Sequence, residues 1–265
     1  MTYASTLVVI PTYNERENLP LIAARVLQSV PDVDILVVDD DSPDGTGAVA
    51  SALASGHDRV HVLHRPGKQG LGAAYRAGFA WGLQRGYERF VELDADGSHR
   101  PEELPRLLDA LSETPGDGRA DVVLGSRWTP GGAVENWPLR RMLLSRAGSL
   151  YARIALGLPV RDVTGGYRAF TAAALRGIGY ETVLSQGYCF QIDMLWRAYS
   201  EGLRVAEVPI TFVERVLGES KMSSGIVGEA IARVTVWGIA GLPARVLGTR
   251  HPAPVVRVAL DAAHV

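Results

Sequence analysis

The sequence has almost no cysteine. Its one thiol, Cys189, can close no internal disulfide and excludes a multi-cysteine zinc site, which fits a reducing compartment and the ordinary role of a small buried hydrophobe. Long apolar runs are missing too. A spanning helix needs roughly 20 apolar residues, yet Leu7 to Ile10 stops at Pro11, and Val234 to Ala244 is flanked by Arg233 and Arg245 and interrupted by Pro243. Neither a span nor a secretory leader is expected. Nor is there an excess of one charge: 27 Lys and Arg face 29 Asp and Glu, a net charge of −2. No global basic field draws nucleic acid to this chain, so any anion site must be local. Two phosphate-binding signatures are also absent. The first apolar run leads into Pro-Thr-Tyr-Asn-Glu-Arg where a dinucleotide fold would carry G-x-G-x-x-G, and no G-x-x-x-x-G-K-[ST] loop occurs. That disfavours a Rossmann dehydrogenase and removes the P-loop phosphotransferases.

What the sequence does have is enough length and apolar content for one sizeable core: 265 residues, 47% hydrophobic. The first half alternates short β-branched runs with helical periodicity, the signature of an α/β fold with a mainly parallel central sheet flanked by helices. Strands are expected at Thr6 to Pro11, Asp34 to Asp39, Val60 to His64, Phe90 to Asp94 and Asp121 to Gly125. Helical faces are marked by Leu19, Ile22, Val26 and Leu27, by Leu71, Ala74, Tyr75, Gly78 and Phe79, and by Leu104, Leu107, Leu108 and Leu111. Pro101 suits a first helical turn. Beyond Trp128 come Gly/Pro-rich turns, a basic amphipathic helix from Leu139 to Leu158, a helix from Tyr188 to Ser200, a strand from Arg204 to Val213 and a C-terminal amphipathic helix from about Ile226 to Val246. A single domain over residues 1–248 is expected, with halves at about 5–128 and 129–248 and a loosely attached tail at 249–265.

Ligands of open α/β sheets bind beyond the carboxyl ends of the strands, so the polar residues after each apolar run matter most. Asp94 and Asp96 follow Phe90 to Leu93 at i and i+2 and can share one side of a strand end. Two close carboxylates repel unless a cation lies between them. Hard oxygen ligands suit Mg²⁺ or Mn²⁺, which takes its remaining ligands from water and a substrate diphosphate. Solvated turn aspartates are the plain alternative, and it is outweighed by the acidic clusters on neighbouring strands. In Asp39 to Asp41, turn and capping chemistry accounts for Asp41 and Asp44, whereas Asp40 is placed to accept from a ribose or base. The glycine-rich turn of Gly67, Lys68, Gln69, Gly70 and Gly72 reads equally as a phosphate approach or a tight helix entry. His61 and His64 have no third ligand in the sequence and read as ordinary strand residues. Arg127, directly after a buried strand, is the cation that stands out unaided. In the basic helix, the side bearing Met142, Leu143, Leu144, Leu150, Tyr151 and Ile154 is core or membrane-facing.

The segments Pro-Thr-Tyr-Asn-Glu-Arg-Glu-Asn from Pro11, Val-Val-Asp-Asp-Asp-Ser-Pro-Asp-Gly-Thr from Val37, Asp-Ala-Asp-Gly-Ser-His from Asp94, Gly-Ser-Arg-Trp from Gly125, Gly-Gly-Ala-Val-Glu-Asn-Trp-Pro from Gly131 and Gly-Glu-Ser-Lys-Met from Gly218 resemble, in that order, the polyprenol-phosphate (dolichol-phosphate) mannosyltransferases. These are inverting family 2 glycosyltransferases with the GT-A fold. The likeness runs from about Thr6 to Trp237. It implies transfer of mannose from GDP-mannose to a polyprenyl phosphate, with UDP-glucose or another nucleotide sugar as the alternative donor. By this resemblance Pro11, Tyr13, Glu15, Val38, Asp40 and Ala95 contact the donor nucleotide, and Asp94 and Asp96 hold the metal. Ser98 stands where several relatives carry a metal-site Gln. Arg127, Arg215 and Lys221 meet phosphates, and Arg141 and Ser145 contact the acceptor phosphate. Many relatives carry a C-terminal membrane anchor that has no counterpart in this sequence. Attachment is then expected through peripheral contact at the cytosolic face of the membrane or through a membrane-protein partner. A non-catalytic partner of a membrane enzyme would tolerate loss of the acidic pair or of Arg127, and all three residues are present.

Overall fold

In the computed structural model, residues 3–111, 118–185, 187–215, 224–246 and 255–256 are described. The apolar runs become β1 (Thr6–Thr12), β2 (Asp34–Asp39), β3 (Val60–His64) and β4 (Arg89–Glu92), joined by α1 (Asn18–Ser29), α2 (Thr46–Gly56) and α3 (Leu71–Gln84). A 3-10 turn begun by Pro101 then leads into α4 (Leu104–Ala110) and β5 (Val122–Ser126). The second half supplies β6 (Ala133–Glu135), α5 (Leu139–Leu156), β7 (Arg168–Thr171), α6 (Ala172–Ile178), α7 (Tyr188–Ser200), β8 (Val205–Pro209), β9 (Thr211–Val213), α8 (Ser224–Val246) and β10 (Val255–Val256).

The eight-stranded sheet runs β10-β8-β5-β7-β4-β1-β2-β3. Its neighbours are parallel except at β7, which is antiparallel to both β4 and β5. Because β2 and β3 extend from one side of β1 and β4 lies on the other, the chain reverses direction between β1 and β4, and a crevice opens there at the carboxyl ends of the strands. Both faces of this sheet are covered. Leu7 and Val9 join Tyr75, Phe79 and Phe90 on one side, while the alternate residues Val8 and Ile10 join Leu19, Ile22 and Val26 on the other.

The structure departs from the sequence expectation in several places, among them β6 and α6, for which no element was expected. The strand expected from Arg204 to Val213 divides at Ile210: β8 pairs with β5 in the main sheet, and β9 pairs with β6 in a separate two-stranded sheet. Pro209 has no N–H to continue the ladder, and Ile210 donates to the Ser126 carbonyl at the break. Strand β7 had no apolar run to announce it, because only Ala169 and Phe170 separate a buried Arg168 from Thr171. In the tail, Val255–Val256 adds a short parallel edge to β8.

Helix α3 lies against the sheet through its glycines. A Cβ at Gly78 would stand 2.5 Å from Val9 Cγ1, and one at Gly82 2.5 Å from Phe90 Cε1. Alanine ordinarily gains about 1 kcal/mol over glycine inside a helix, but forced overpacking costs about 1–3 kcal/mol. Gly78→Ala should therefore lower the thermal midpoint by several degrees. Gly177→Ala in α6, where nothing lies within 4 Å, should raise it slightly. Calorimetry of both variants checks the opposite signs.

Candidate active site

The acidic pair occupies the crevice between β1 and β4. Leu93 N–H still donates to the Val9 carbonyl (3.2 Å), and the chain then turns through Gly97 at φ +72°. Asp96 accepts from the backbone N–H (3.0 Å) and hydroxyl (2.5 Å) of Ser98, and its other oxygen meets Arg215 Nη2 at 3.1 Å. Asp94 accepts from the Tyr75 hydroxyl at 3.3 Å, with His99 Nδ1 3.8 Å from its second oxygen. Burial, then the charge of Asp96, pushes the Asp94 carboxyl up to about 7. Burial would raise Asp96 as well, but Arg215 and the Ser98 bonds hold it below the ordinary carboxylate range. His99 is kept neutral chiefly by burial, which lowers it to about 4.

Two crowded carboxylates with a hydroxyl beside them form a hard-oxygen donor set that fits a divalent cation. Among the described residues no group of three or more His, Cys, Asp or Glu side chains is placed to hold a metal ion.

On the β1–β2 side, the three aspartates divide their work. Asp39 accepts from Thr12 Oγ1 (2.9 Å) and Ser42 Oγ (2.6 Å), and Asp44 accepts from Thr46 N–H and Oγ1 at the start of α2. Asp41 takes a left-handed φ of +56° in the turn. Asp40 is ion-paired to Arg65 at 2.5 Å and accepts from Gln69 N–H at 3.2 Å, so it anchors the glycine-rich turn. Gly72 in that turn is a matter of close packing, since a Cβ there would meet Phe190 at 2.7 Å. Lys68 Nζ lies 4.1 Å from the centre of the Tyr13 ring. Glu15 N–H donates to Thr46 Oγ1, which ties β1's exit to α2. Pro11 and Tyr13 are half-buried at this rim, and Ala95 is buried beside the acidic pair. Val38 has its side chain in the core, which leaves only its backbone toward the rim. His64 Nε2 is 2.9 Å from Ser51 Oγ and the His61 ring packs on Trp81, in keeping with strand residues.

Arg127 is more fully committed than its sequence position suggested. Its guanidinium makes a bidentate pair with Asp162, both bonds 2.7 Å, and donates to Thr164 Oγ1 at 3.0 Å, within reach of the Trp128, Trp137 and Phe212 rings. Burial opposes the Asp162 charge, yet Arg127 holds the carboxyl below its usual range. Arg141 stacks on Trp137, 4.4 Å to the ring centre, and is ion-paired to Glu214. Arg127, Arg141 and Ser145 line one cavity of about 340 Å³ whose other walls include Leu144, Tyr151 and Val234. Lys221 lies outside the described residues.

Asp162, Thr164, Arg65 and Glu214 went unnoticed in the sequence. The Thr164-Gly165-Gly166 turn was the available signal for the first two. A Cβ at Gly165 would stand 3.1 Å from the Gly125 carbonyl, and one at Gly166 3.7 Å from Asp94 Oδ2. The turn thus passes close by both Gly125 and the acidic pair, tightly at Gly165 and with room for a Cβ at Gly166.

A doubly covered, mostly parallel sheet with an acidic pair at its switch point is the layout of a GT-A nucleotide-sugar transferase. The model of glycosyl transferase family 2 matches residues 7–179, and the chain belongs to that family. It is 59% identical over 237 residues to a polyprenol monophosphomannose synthase of Mycolicibacterium smegmatis, covering 89% of this chain and 88% of that one. It is 58% identical over 243 residues to an undecaprenyl-phosphate mannosyltransferase of Micrococcus luteus, covering 90% and 98%. Among solved structures it is similar in fold to a Mycobacterium tuberculosis glucosyl-3-phosphoglycerate synthase in complex with Mn²⁺, UDP and glucosyl-3-phosphoglycerate, with a TM-score of 0.61, 21% identity and coverage of 92% and 80%. A Pyrobaculum calidifontis mannosyltransferase in complex with GDP-Man and Mn²⁺ gives a TM-score of 0.59, 18% identity and coverage of 96% and 67%.

A cation can displace the proton from Asp94 but gains its full attraction only when that carboxyl is ionised. With the carboxyl titrating near 7, Mn²⁺ affinity should fall about tenfold from pH 8 to pH 6. Proton release on binding should be largest below pH 7. Calorimetric Mn²⁺ titration in two buffers of different ionisation enthalpy reads both quantities.

Proposed function

We propose that this enzyme transfers mannose, with inversion, from GDP-mannose to a polyprenyl monophosphate. The observation that carries this reading is the cavity beside Arg127 and Arg141, which has two guanidiniums, each paired to a carboxylate, at one end and is apolar along α5 and α8. Such a space suits a phosphate attached to a hydrocarbon chain and ill suits a free sugar. The names of the two bacterial relatives agree with this acceptor and with mannose as the sugar. The guanine nucleotide is supported more weakly, by the fold-level likeness to a mannosyltransferase bound to GDP-Man.

In this reading an oxygen of the lipid phosphate forms a bond to the anomeric carbon as the bond to the donor diphosphate breaks. The phosphate monoester, with a second pKa near 6, is already largely dianionic, so the residues need not supply a base to activate it. Their task is charge. Asp94 and Asp96, with Ser98 beside them, would hold Mg²⁺ or Mn²⁺. A cation bound there neutralises charge developing on the diphosphate. Arg127, Arg141 and Ser145 orient the acceptor phosphate, while Arg215 and Lys221 serve the phosphates of the donor. The residues about Pro11, Tyr13, Glu15, Val38, Asp40 and Ala95 receive the nucleoside.

The same reading places the protein peripherally on the cytosolic face of a membrane, alone or with a membrane-protein partner. No helix among the described residues is long and apolar enough to cross a bilayer. Helix α5 buries only Ser149, Ala152 and Leu156, while Leu143 and Ile154 are 55% and 71% exposed. Exposed leucines beside Arg140, Arg146 and Arg153 suit an anionic lipid surface.

Incubation with labelled GDP-mannose or UDP-glucose and a polyprenyl phosphate, followed by organic extraction, tests the reading. Label should enter the organic phase from GDP-mannose, and Arg127→Ala should reduce that rate by about 10²-fold or more. Transfer from UDP-glucose alone would overturn the donor assignment. In a separate check, Leu143→Glu with Ile154→Glu should release the protein from anionic vesicles in co-sedimentation while GDP binding is kept.

A further inference from the structure

The acidic pair and the acceptor cavity are joined by a short stretch of backbone held on both sides. Val213, at the end of β9, donates its N–H to the Ser98 carbonyl, and Glu214 donates its N–H to the Glu135 carbonyl, both at 3.0 Å. Two adjacent side chains leave this clamped segment for different sites. Arg215 reaches Asp96 at 3.1 Å, and Glu214 takes the guanidinium of Arg141. Successive side chains of an extended chain point to opposite sides, so one residue faces the acidic turn and the other faces α5.

Each pair has the charge pattern of a substrate. A guanidinium sits on Asp96, the carboxylate that a metal-bound diphosphate needs, and a carboxylate sits on Arg141, the cation that an acceptor phosphate needs. Arg141 and Glu214 are both partly buried, with side chains 22% and 27% exposed. A carboxylate on Arg141 opposes a phosphate there through charge repulsion as well as through occupancy.

We propose that Glu214 is a positioning residue that couples the two sites, holding Arg141 until donor and cation have drawn Arg215 from Asp96. The inference rests on the lipid-phosphate reading above. Consecutive Cα atoms are about 3.8 Å apart, so for a shift of Arg215 toward a diphosphate to reach Glu214 the two residues have to move together, which requires release of the Glu214 N–H from the Glu135 carbonyl. Acceptor phosphate then binds well only to enzyme already loaded with donor, and an activated sugar is in place before its nucleophile arrives. Linkage makes the effect mutual: acceptor tightens donor by the same factor as donor tightens acceptor.

The test is calorimetric binding of farnesyl phosphate, a short polyprenyl phosphate, with and without GDP and Mn²⁺. Couplings between sites commonly span roughly 5- to 150-fold, and the wild-type protein should bind farnesyl phosphate about tenfold more tightly when GDP and Mn²⁺ are present. Glu214→Gln should bind it tightly in both conditions, with the ratio near one. Farnesyl phosphate should likewise tighten GDP–Mn²⁺ in the wild type and not in the variant. Glu214→Ala removes the residual hydrogen bond to Arg141 and should give the same result, and GDP–Mn²⁺ binding reports that both variants are folded. An equal ratio in wild type and variants, or a wild-type ratio of one, overturns the coupling while leaving the acceptor class intact. Failure of farnesyl phosphate to bind under either condition overturns the acceptor reading, and the inference falls with it.

Discussion

Negative charge crowded at the end of β4 is the constraint on which the rest of the site depends. Asp94 and Asp96 lie two residues apart in a half-buried turn, their side chains 33% and 9% exposed, and each raises the cost of ionising the other. Three neighbours answer that problem. Ser98 donates twice to Asp96, Tyr75 donates to Asp94, and Arg215 brings a full charge. A crowded acidic pair with one guanidinium partner remains disposed to accept a divalent cation.

Behind the pair, the fold uses a second set of buried charges as scaffolding. Arg168 is wholly buried and donates to the carbonyls of Val163, Gly165 and Gln191, while Gln191 donates to Glu92 at 2.8 Å. Burial raises the Glu92 carboxyl to about 8 despite the opposing charge of Arg168. Such a network costs desolvation and returns little net stability. Its effect is geometric: it fixes the turn from Asp162 to Gly166 that carries the partner of Arg127 past Asp94. The antiparallel strand β7 follows from this, because it delivers Arg168 into the sheet between β4 and β5.

The apolar side of α5 shows the same economy at the surface. A helix that buries three small or medium side chains and exposes Leu139, Leu143, Leu144, Leu150 and Ile154 does not contribute to the core in proportion to its hydrophobicity. Its inner edge with α8 instead walls the cavity that ends at Arg127 and Arg141. One helix thus meets both the phosphate end and the hydrocarbon end of the acceptor proposed above.

Much of this was legible in the residues. Short β-branched runs ending in Asp39, Asp94 and Ser126 specified buried parallel strands and a polar rim, because alternation of apolar runs with helical periods leaves few other ways to bury them. The spacing of Asp94 and Asp96 was likewise a local fact. Other features were decided only by tertiary structure. No local pattern could show that Arg127 would be claimed by Asp162, Asp40 by Arg65, or Arg141 by Glu214, since these partners lie 35, 25 and 73 residues apart. Nor could the sequence set the antiparallel entry of β7, where pairing across the sheet outweighs propensities spread over four residues. Charge type and the apolar runs reside in the chain; which charge meets which is settled when the sheet closes and water is excluded between them.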